Sequence, residues 1–395
     1  MTRIIALSIL FMVSCATEYP TIPTSSKQSR FPRLSSNDKD DIFVTWFEEI
    51  DSTDWSLRGS IFSNNKWSSP MTISSDQPYF INWADFPSLN YIKDDTLVAH
   101  WLEKSGAGTY DYDVHLSFSF NEGRSWSSSQ IPHSSKVKGE HGFSSFGIGN
   151  NTHDLVWLDG REMNMGHSSG HYGKMNLCHT TFTSNGVLGD EFVIDDKVCE
   201  CCPTASVRYK DTLVVAYRDR TNEEIRDINI ARKAGDIWEK PYRVHNDNWK
   251  IAGCPVNGPM LATEKGKIAI AWYTGADNSA RVNVAFSKDI GRTFSEPIRI
   301  DLSMPLGRVD LEWINNNEVI VSWIESGDET SNIYARRVNI NTSLSKETLV
   351  EKIPPGRISG YPQMEVVNNN VLFAWTEINK KTIVASKWLS LSAIK

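Results

Sequence analysis

The chain has 395 residues, long enough for one large domain or two ordinary ones, and its 40% of hydrophobic residues can build a substantial core. It carries 41 Lys and Arg against 48 Asp and Glu, a formal net charge of −7, without a basic run anywhere. This balance argues against nucleic acid or an anionic membrane surface as the main partner, and we expect no nucleic-acid partner.

The chain begins with a targeting signal. Met1-Thr2-Arg3 gives a short positive start, and the apolar run that follows, Ile4–Val13, is too short to span a bilayer as a mature helix. The run ends at Val13-Ser14-Cys15, which resembles a bacterial lipoprotein signal in which the cysteine becomes the lipidated first residue. An ordinary secretory signal that is cut nearby is the alternative.

The lipoprotein interpretation sets the domain boundaries and the location. It makes residues 1–14 the signal peptide, Cys15 the lipidation site, and residues 15–28 a polar tether that can also supply a closing strand. Residues 29–395 then form the folded domain. We expect the protein on a bacterial cell envelope, held to the membrane by the lipid anchor only, on the periplasmic or surface side of the outer membrane.

A short β-branched run, an aromatic residue and then an acidic residue two further on recur seven times, with Thr274 in place of the acid in the fifth copy. The aromatic residues follow each other at intervals of 51 to 60 residues, which is too even for chance. A repeat of this kind decides the fold class before local structure is considered. The aromatic residues are Trp46, Trp101, Trp157, Tyr217, Trp272, Trp323 and Trp375.

Each copy lies between alternating segments bounded by Asn, Asp and Gly turns, as in antiparallel hairpins, and a fourth segment usually follows. Four antiparallel strands per repeat make a propeller blade, and blades that close into a ring limit the exposed sheet edges. The sequence therefore predicts an all-β protein with a single β-propeller of seven four-stranded antiparallel blades. Six blades is the alternative. The last copy lacks a clear fourth strand, which the segment near Glu18–Ser25 could supply.

Two turns carry a more specific pattern. SFNEGRSW (119–126) and SKDIGRTF (287–294) match the Asp-box motif of BNR repeats, S-x-D-x-G-x-[ST]-[WF], with Asn121 replacing the acid in the first. We expect Asn121 and Asp289 to cap the amides of these tight hairpins rather than to act in catalysis. With the repeat, these turns make the whole mature chain resemble the sialidase-like superfamily of Asp-box propellers, and more narrowly exported bacterial proteins labelled sialidase-like.

The resemblance implies an acidic glycan as ligand and, if the protein is an enzyme, an exo-sialidase-like glycoside hydrolase. Sialidases clamp the substrate carboxylate with three Arg, and they use a Tyr nucleophile assisted by Glu and an Asp acid/base. Another carboxylate-bearing ligand is as compatible with these residue types. The candidates that the resemblance places on the loops around the axis are Arg33, Arg218 or Arg220, Arg308, Arg357, Tyr361, Glu224 and Asp85.

The acids that follow the aromatic residues are expected to form a partial ring on one face of the propeller. A ligand-binding ring is one interpretation. We favour a structural one, in which each acid bonds its own hairpin or an Arg that opens the third strand, as Arg58, Arg226 and Arg281 are placed to do. The acids are Glu48, Glu103, Asp159, Asp219, Glu325 and Glu377.

Five cysteines remain after Cys15, and the repeat makes four of them converge. Cys199-Glu200-Cys201-Cys202-Pro203 leads into the fourth blade, and Cys254-Pro255 leads into the fifth. Adjacent blades place these two Cys-Pro segments side by side near the axis. In an oxidising envelope a disulfide is the ordinary outcome, and Cys202–Cys254 is the natural pair.

A thiolate metal site is the other interpretation of these cysteines, and the sequence leaves both open. Thiolates select copper(I) or zinc, and nearby histidines can complete the ligand shell. Beside the glycan-directed function, the sequence therefore allows a non-enzymatic metal- or thiol-handling lipoprotein, or an interaction scaffold. We expect a monomer in each case. The candidate metal ligands are Cys199, Cys201, Cys202, Cys254, His141, His167 and His171.

Overall fold

The computed structural model describes residues 19–163 and 173–394. Cys15, His167 and His171 lie outside the described residues, so their assigned roles stay predictions. Within those ranges the strands group into seven antiparallel sheets that follow one another in chain order. These sheets are the blades of one β-propeller, which confirms the prediction of seven blades over the alternative of six.

The first three blades contain twelve strands. In blade 1 the outer strand is split into two short pieces that both pair with the third strand. The strands of blade 1 are β1 (Ser29–Ser36), β2 (Ile42–Glu49), β3 (Trp55–Ser63), β4 (Lys66–Trp67) and β5 (Met71–Ser75). Those of blade 2 are β6 (Ser88–Lys93), β7 (Thr96–Lys104) and β8 (Tyr112–Ser119), and those of blade 3 are β9 (His141–Gly147), β10 (Thr152–Glu162), β11 (Lys174–Thr183) and β12 (Phe192–Val198).

The remaining four blades repeat this order. Blade 4 comprises β13 (Ala205–Tyr209), β14 (Thr212–Arg218), β15 (Ile228–Ala234), β16 (Ile237–Trp238) and β17 (Tyr242–Arg243). Blade 5 comprises β18 (Met260–Glu264), β19 (Lys267–Thr274), β20 (Arg281–Ser287) and β21 (Ile298–Arg299), and blade 6 comprises β22 (Pro305–Asn315), β23 (Glu318–Ser326), β24 (Ser331–Asn339) and β25 (Thr348–Ile353). Blade 7 comprises β26 (Gln363–Val367), β27 (Asn370–Ile378) and β28 (Thr382–Ser390).

Helix contributes little to the part of the chain that the structure describes. It is limited there to the short 3-10 turns Ala276–Asn278 and Leu391–Ala393. None of the helical segments in the described ranges has the length and apolar character needed to cross a membrane.

The seven repeat copies form the second strand of every blade. These strands are almost completely buried because neighbouring blades pack on both of their faces; Val44 and Trp46 of β2, for example, are 0% exposed. Trp46 belongs to a cluster with Leu372 and Ala374 of blade 7, which joins the first blade to the last. The run of β-branched and aromatic residues is thus explained by two-sided burial.

The first strands of the blades surround a central cavity of about 940 Å³. Its walls mix small polar side chains with charged ones, and every blade contributes. One lining residue from each first strand, in chain order, is Arg33, Ser88, Ser145, Ser206, Met260, Glu312 and Glu365.

The segment that precedes β1 closes the ring by lying against β28. The Tyr19 ring stacks on Trp388 with centroids 4.8 Å apart, and the Trp388 indole donates to the carbonyl of Pro20 at 3.1 Å. The backbone amide of Ile22 donates to Ser386 Oγ at 3.1 Å, and the Ile22 side chain is buried. These contacts cover the outer edge of β28, where most other blades carry a fourth strand.

The acids that follow the repeat aromatics bond mainly within their own blades. The Trp101 indole donates to Glu103 at 2.6 Å, and Trp157 donates to Asp159 at 3.0 Å. The Trp323 indole likewise donates to the carboxylate two residues on, at 2.8 Å. A buried indole N–H needs an acceptor, and the acid two positions later on the same face of the strand accepts its hydrogen bond. The structural interpretation of these acids therefore holds in these blades.

The two patterned turns hold their amides with side chains. Asp289 accepts from the backbone amides of Arg292 at 3.0 Å and Thr293 at 2.9 Å. Asn121 Oδ1 accepts from the amide of Ser125 at 2.9 Å. Both side chains serve the hairpins between third and fourth strands, far in sequence from the loops that lead into the first strands.

Candidate functional site

Three cysteine sulfurs converge in the loop that leads from β12 into β13. The Sγ atom of Cys199 lies 3.4 Å from that of Cys202 and 3.9 Å from that of Cys201. All three sulfurs lie within 4.8 Å of one another. Cys199 and Cys202 are buried, whereas Cys201 is half-buried. The cluster is therefore a compact sulfur site with access to solvent on one side.

The fourth cysteine reaches the cluster from the next blade. Cys254 is exposed, and it lies near enough to Cys201 for that thiol to lower its pKa. The backbones of the two loops touch nearby, since a Cβ added to Gly258 would lie 2.1 Å from the carbonyl oxygen of Pro203. Glycine is required there by this close approach. The two Cys-Pro segments of blades 4 and 5 thus lie side by side.

The predicted Cys202–Cys254 disulfide is not present. Both residues are free thiols, and so are Cys178, Cys199 and Cys201. The Cys202 sulfur lies beside that of Cys199, whereas Cys254 interacts with Cys201. The Sγ atoms of Cys199 and Cys202 are 3.4 Å apart, well above the length of about 2.05 Å of a disulfide bond.

Two arginines and two glutamates surround the sulfurs. Arg226 donates to Cys199 Sγ at 3.3 Å, to Glu200 at 2.7 Å and to Glu224 at 2.9 Å. Arg220 pairs with the same two glutamates. The network fixes Arg226 against the sulfur site, and its guanidinium offsets negative charge that thiolates would bring.

The environment favours a thiolate at Cys199. Burial opposes ionisation of its thiol, but hydrogen bonds from the Cys201 and Cys202 thiols, together with the charge of Arg226, lower its pKa well below the ordinary value. The pKa of Cys254 is also lowered, first by the hydrogen bond from Cys201. The pKa of Cys201 is raised because its proton serves these bonds. These shifts favour a thiolate at Cys199 and at Cys254 beside a protonated thiol at Cys201.

His141, assigned from the sequence to the cysteine site, faces carboxylates instead. Its Nδ1 atom lies 3.2 Å from Asp113 and its Nε2 atom 3.5 Å from Asp159. His141 is the first residue of β9, where the neighbouring third strand of blade 2 supplies Asp113. The structure thus groups His141 with acids of blades 2 and 3.

Arg218 is committed to the framework. Its guanidinium donates to the carbonyls of Asn257, Arg226 and Tyr273 at 2.7–3.0 Å. It is 2% exposed and lies over the Trp249 ring at 4.9 Å. Its donors are therefore used to join the loops of blades 4 and 5, and a substrate carboxylate would have to replace backbone acceptors.

Arg308 and Arg357 lie over one aromatic ring, that of Trp83. Their guanidinium carbons are 4.7 Å and 5.6 Å from its centroid, as in cation–π pairs. Arg308 also donates to the carbonyls of Gly356 and Gly360 at 3.1 Å and is buried, whereas Arg357 is exposed. Trp83 is half-buried, so this face offers an aromatic surface beside an exposed guanidinium.

Tyr361 and Asp85 are both buried and bonded to the protein. The Tyr361 hydroxyl donates to the Val256 carbonyl at 2.6 Å, and burial raises its pKa. Asp85 accepts from the Phe143 amide at 2.8 Å, and burial raises its pKa to about 8. A tyrosine nucleophile needs a lowered barrier to ionisation, and the surroundings of Tyr361 act in the opposite direction.

Glu224 and Arg33 lie at separate places. Burial raises the pKa of Glu224, but hydrogen bonds from Arg220 and Arg226 outweigh it, and the pKa is lowered. Arg33 lines the central cavity within β1, where its charge faces Glu365, whose pKa burial raises to about 8. The sialidase candidates therefore divide among the sulfur site, the Trp83 face and the cavity.

Sequence reasoning missed Trp83, Asp113 and His133 as site residues. They lie outside the repeat motif, in or next to long connections between blades. The indole-bearing segment INWADFP (81–87) could have been found, because an aromatic residue placed where a loop enters a first strand points to the axis. Asp113 and His133 carry no such signal.

Comparison with known proteins identifies the fold. No family model and no curated protein sequence matches the chain. Among solved structures, it is similar to the polysaccharide lyase Uly1 with a TM-score of 0.54 and 10% identity, over 91% of this chain and 89% of that chain. An ulvan lyase bound to -[GlcA(1-4)Rha3S]- gives 0.55 and 7% over 94% and 96%.

A Hadza microbial sialidase is also similar, with a TM-score of 0.51 and 14% identity over 87% of this chain and 75% of that chain. At such identities the likeness concerns the fold alone. It agrees with the β-propeller predicted from the repeat.

Proposed function

We propose that this protein is a non-enzymatic metal-binding propeller that holds copper(I) or zinc through Cys199, Cys201, Cys202 and Cys254. The convergence of these cysteines from two adjacent blades is the observation that carries the proposal. Soft sulfur ligands select these two ions over harder cations. A chain that needed the cysteines for stability alone would pair them, since the expected compartment is oxidising.

The sulfur spacing supports a metal more than a disulfide. In a tetrahedral site with metal–sulfur distances of about 2.3 Å, sulfurs lie about 3.8 Å apart. The Cys199 sulfur lies 3.4 Å from that of Cys202 and 3.9 Å from that of Cys201, close to this sulfur–sulfur distance. Arg226 would offset part of the negative charge of the thiolates. The exposed Cys254 gives the ion a route from solvent.

Metal content and thiol state test the proposal directly. Protein purified from the envelope should carry about one copper or zinc per chain, and a chelator should lower its melting temperature. Cys199→Ser should remove the metal, whereas Cys178→Ser, which changes a buried cysteine outside the cluster, should retain it. Protein that carries no metal and shows a disulfide among the four cysteines by mass spectrometry would refute the proposal.

Acidic saccharide binding at the Trp83 face is a second candidate. It is favoured by the exposed Arg357 beside a half-buried indole, because sugars stack on aromatic rings and Arg pairs with carboxylates in a bidentate manner. The propeller neighbours that act on glycans are consistent with it. Tyr361 is held by a backbone carbonyl, which favours binding over exo-sialidase-like hydrolysis.

Titration with uronic or sialic acid oligosaccharides tests this candidate. Arg357→Ala should weaken binding of the acidic oligosaccharide at least tenfold, and Arg124→Ala, at an exposed arginine of blade 2, should not change it. Equal affinity for neutral and acidic oligosaccharides would exclude the Arg357 role. Release of free sialic acid would instead support the hydrolase.

The lipoprotein anchor and the envelope location remain part of the proposal. They are supported by residues 1–15, and a tether over residues 15–28 suits a propeller whose ring closes with Tyr19 and Ile22. An envelope location also brings the cysteines into contact with metal ions that enter the cell.

A further inference from the structure

A second group of side chains with metal-ligand chemistry lies between blades 2 and 3. Asp113 comes from β8, His133 from the connection to the next blade, and His141 from the first position of β9. One ligand atom from each lies within 4.8 Å of the other two. We propose that these three residues bind a divalent first-row metal ion such as Zn²⁺, at a site separate from the cysteines.

The distances match those of a coordination shell. Asp113 Oδ1 lies 3.3 Å from His133 Nε2 and 3.2 Å from His141 Nδ1. Tetrahedral zinc with nitrogen and oxygen ligands at about 2.0–2.1 Å places neighbouring ligand atoms about 3.3 Å apart. The two imidazole rings are stacked and nearly parallel, so one of them would tilt to direct its nitrogen at the ion.

His133 gives the independent sign that a ligand is missing from its surroundings. It is 7% exposed, yet neither of its ring nitrogens makes a hydrogen bond with the described residues. Its ring stacks on that of His141, with centroids 3.9 Å apart and an interplanar angle of 9°. Burial of an imidazole that makes no hydrogen bond is costly, and a metal ion would use the Nε2 atom that lies 3.3 Å from Asp113.

Further groups orient the His141 ring. Its second nitrogen, Nε2, faces Asp159 Oδ1 at 3.5 Å. Asp159 is itself held by Arg161 at 2.6 Å and 2.7 Å and by the Trp157 indole at 3.0 Å. A metal-bound histidine commonly directs its other N–H to a carboxylate, which fixes the ring. Asp159, which accepts the hydrogen bond of the Trp157 indole, would thus also orient the metal ligand His141.

The donor set separates this site from the cysteine cluster. Two imidazoles and one carboxylate suit zinc and other borderline ions, whereas thiolates suit copper(I). The Asp113 side chain is 13% exposed, so a fourth position can be filled by water. Such a three-ligand site with an open position is the arrangement that zinc takes when it also binds an exogenous ligand.

Cobalt(II) is a suitable probe, because sulfur ligation gives a sulfur-to-cobalt charge-transfer absorption and nitrogen–oxygen ligation gives only ligand-field bands. The mature protein should bind one Co²⁺ with ligand-field bands alone, in addition to any ion at the cysteines. Zn²⁺ should displace it. Cys199→Ser should abolish the sulfur-to-cobalt absorption and leave the Co²⁺ ion at Asp113, His133 and His141 bound. The two proposed sites are therefore tested separately.

Two variants locate the ion. His133→Ala and Asp113→Asn should each abolish Co²⁺ binding at this site or lower its affinity at least tenfold. His245→Ala, at a half-exposed histidine of another blade, should not change it. Asp113→Asn keeps the side-chain shape, so it decides the question if His133→Ala does not fold. Wild-type protein without this equivalent, or both variants with unchanged Co²⁺ binding, would overturn the proposal.

Discussion

The indole nitrogen of Trp272 donates a hydrogen bond of 2.8 Å to a carboxylate oxygen of Asp247, a residue 25 positions earlier in the chain. In blades 1, 2, 3 and 6 the acceptor follows its tryptophan by two residues. Blade 5 carries Thr274 at that position, and the loop before the blade supplies the acid instead. The Trp272 indole thus has an acceptor although its blade departs from the repeat.

Removal of this acceptor should destabilise the fold. Asp247→Ala leaves a buried indole N–H without a partner, and we expect the free energy of unfolding to fall by about 1–3 kcal/mol. Glu377→Ala is the matched control, because the indole nitrogen of Trp375 already lacks a hydrogen bond in the structure. Chemical denaturation checks both. Equal losses in the two variants would show that the indole bond is not the cause.

Asp85 and Glu140 should make the protein less stable as the pH rises. Burial raises the pKa of Asp85 to about 8 and that of Glu140 to about 7. Between about pH 4 and these values the folded state keeps protons that the unfolded chain has lost, so the free energy of unfolding falls with pH, by at most about 1.4 kcal/mol per unit for each group.

Denaturation at pH 5 and pH 8 measures this dependence. Asp85→Asn should resemble the wild type at pH 5 and be more stable than it at pH 8. Its amide oxygen can still accept from the Phe143 amide. Asp236→Asn, at an exposed turn, should leave the dependence as it is. A difference between Asp85→Asn and the wild type that is the same at both pH values would contradict the assignment.

The closing segment should contribute to stability. Ile22→Ala opens a cavity at the contact between the segment and β28, and we expect a loss of about 2–4 kcal/mol. Ile237→Ala is the control, because that side chain is 72% exposed and should change stability by less than about 0.5 kcal/mol. Thermal and denaturant unfolding check both. An unaffected Ile22→Ala protein would show that the ring closes without this segment.

The anchor prediction concerns Cys15. Replacement of Cys15 by Ser should release the mature protein from the membrane fraction into the soluble fraction, because the thiol that would carry the lipid is gone. Cell fractionation with immunoblotting measures the distribution. A Cys178→Ser variant should stay with the membrane. The lipoprotein interpretation fails if Cys15→Ser does not change the distribution.

The fold could be predicted because its signal is repeated seven times. Because both faces of each second strand are buried, that strand consists of β-branched and aromatic residues. The indole also needs an acceptor, so an acid follows two residues after the aromatic residue, as Glu103 follows Trp101. The close approach of the two Cys-Pro segments of blades 4 and 5 followed from the same register. Contacts that recur in each blade produce a periodic pattern in the sequence.

The rest depended on contacts that leave no such trace. His133 reaches His141 through a long connection whose path the repeat does not determine, and Arg218 is occupied by carbonyls that no pattern reveals. Candidates chosen by residue type therefore included arginines that bond the framework. Which sulfur faces which was also beyond the sequence, because it depends on the turn at Glu200.

The contact between Ile22 and Ser386 joins residues 364 positions apart, so it cannot form until nearly the whole polypeptide has been synthesised. Six blades can assemble from neighbouring segments as they emerge, but the ring must wait for the last one. Formation of such distant contacts pays the largest chain-entropy cost and is therefore slow. Until blade 7 has formed, Trp46 of blade 1 lacks the Leu372 and Ala374 side chains that bury it, and an exported chain would need to be shielded from its own copies during this interval.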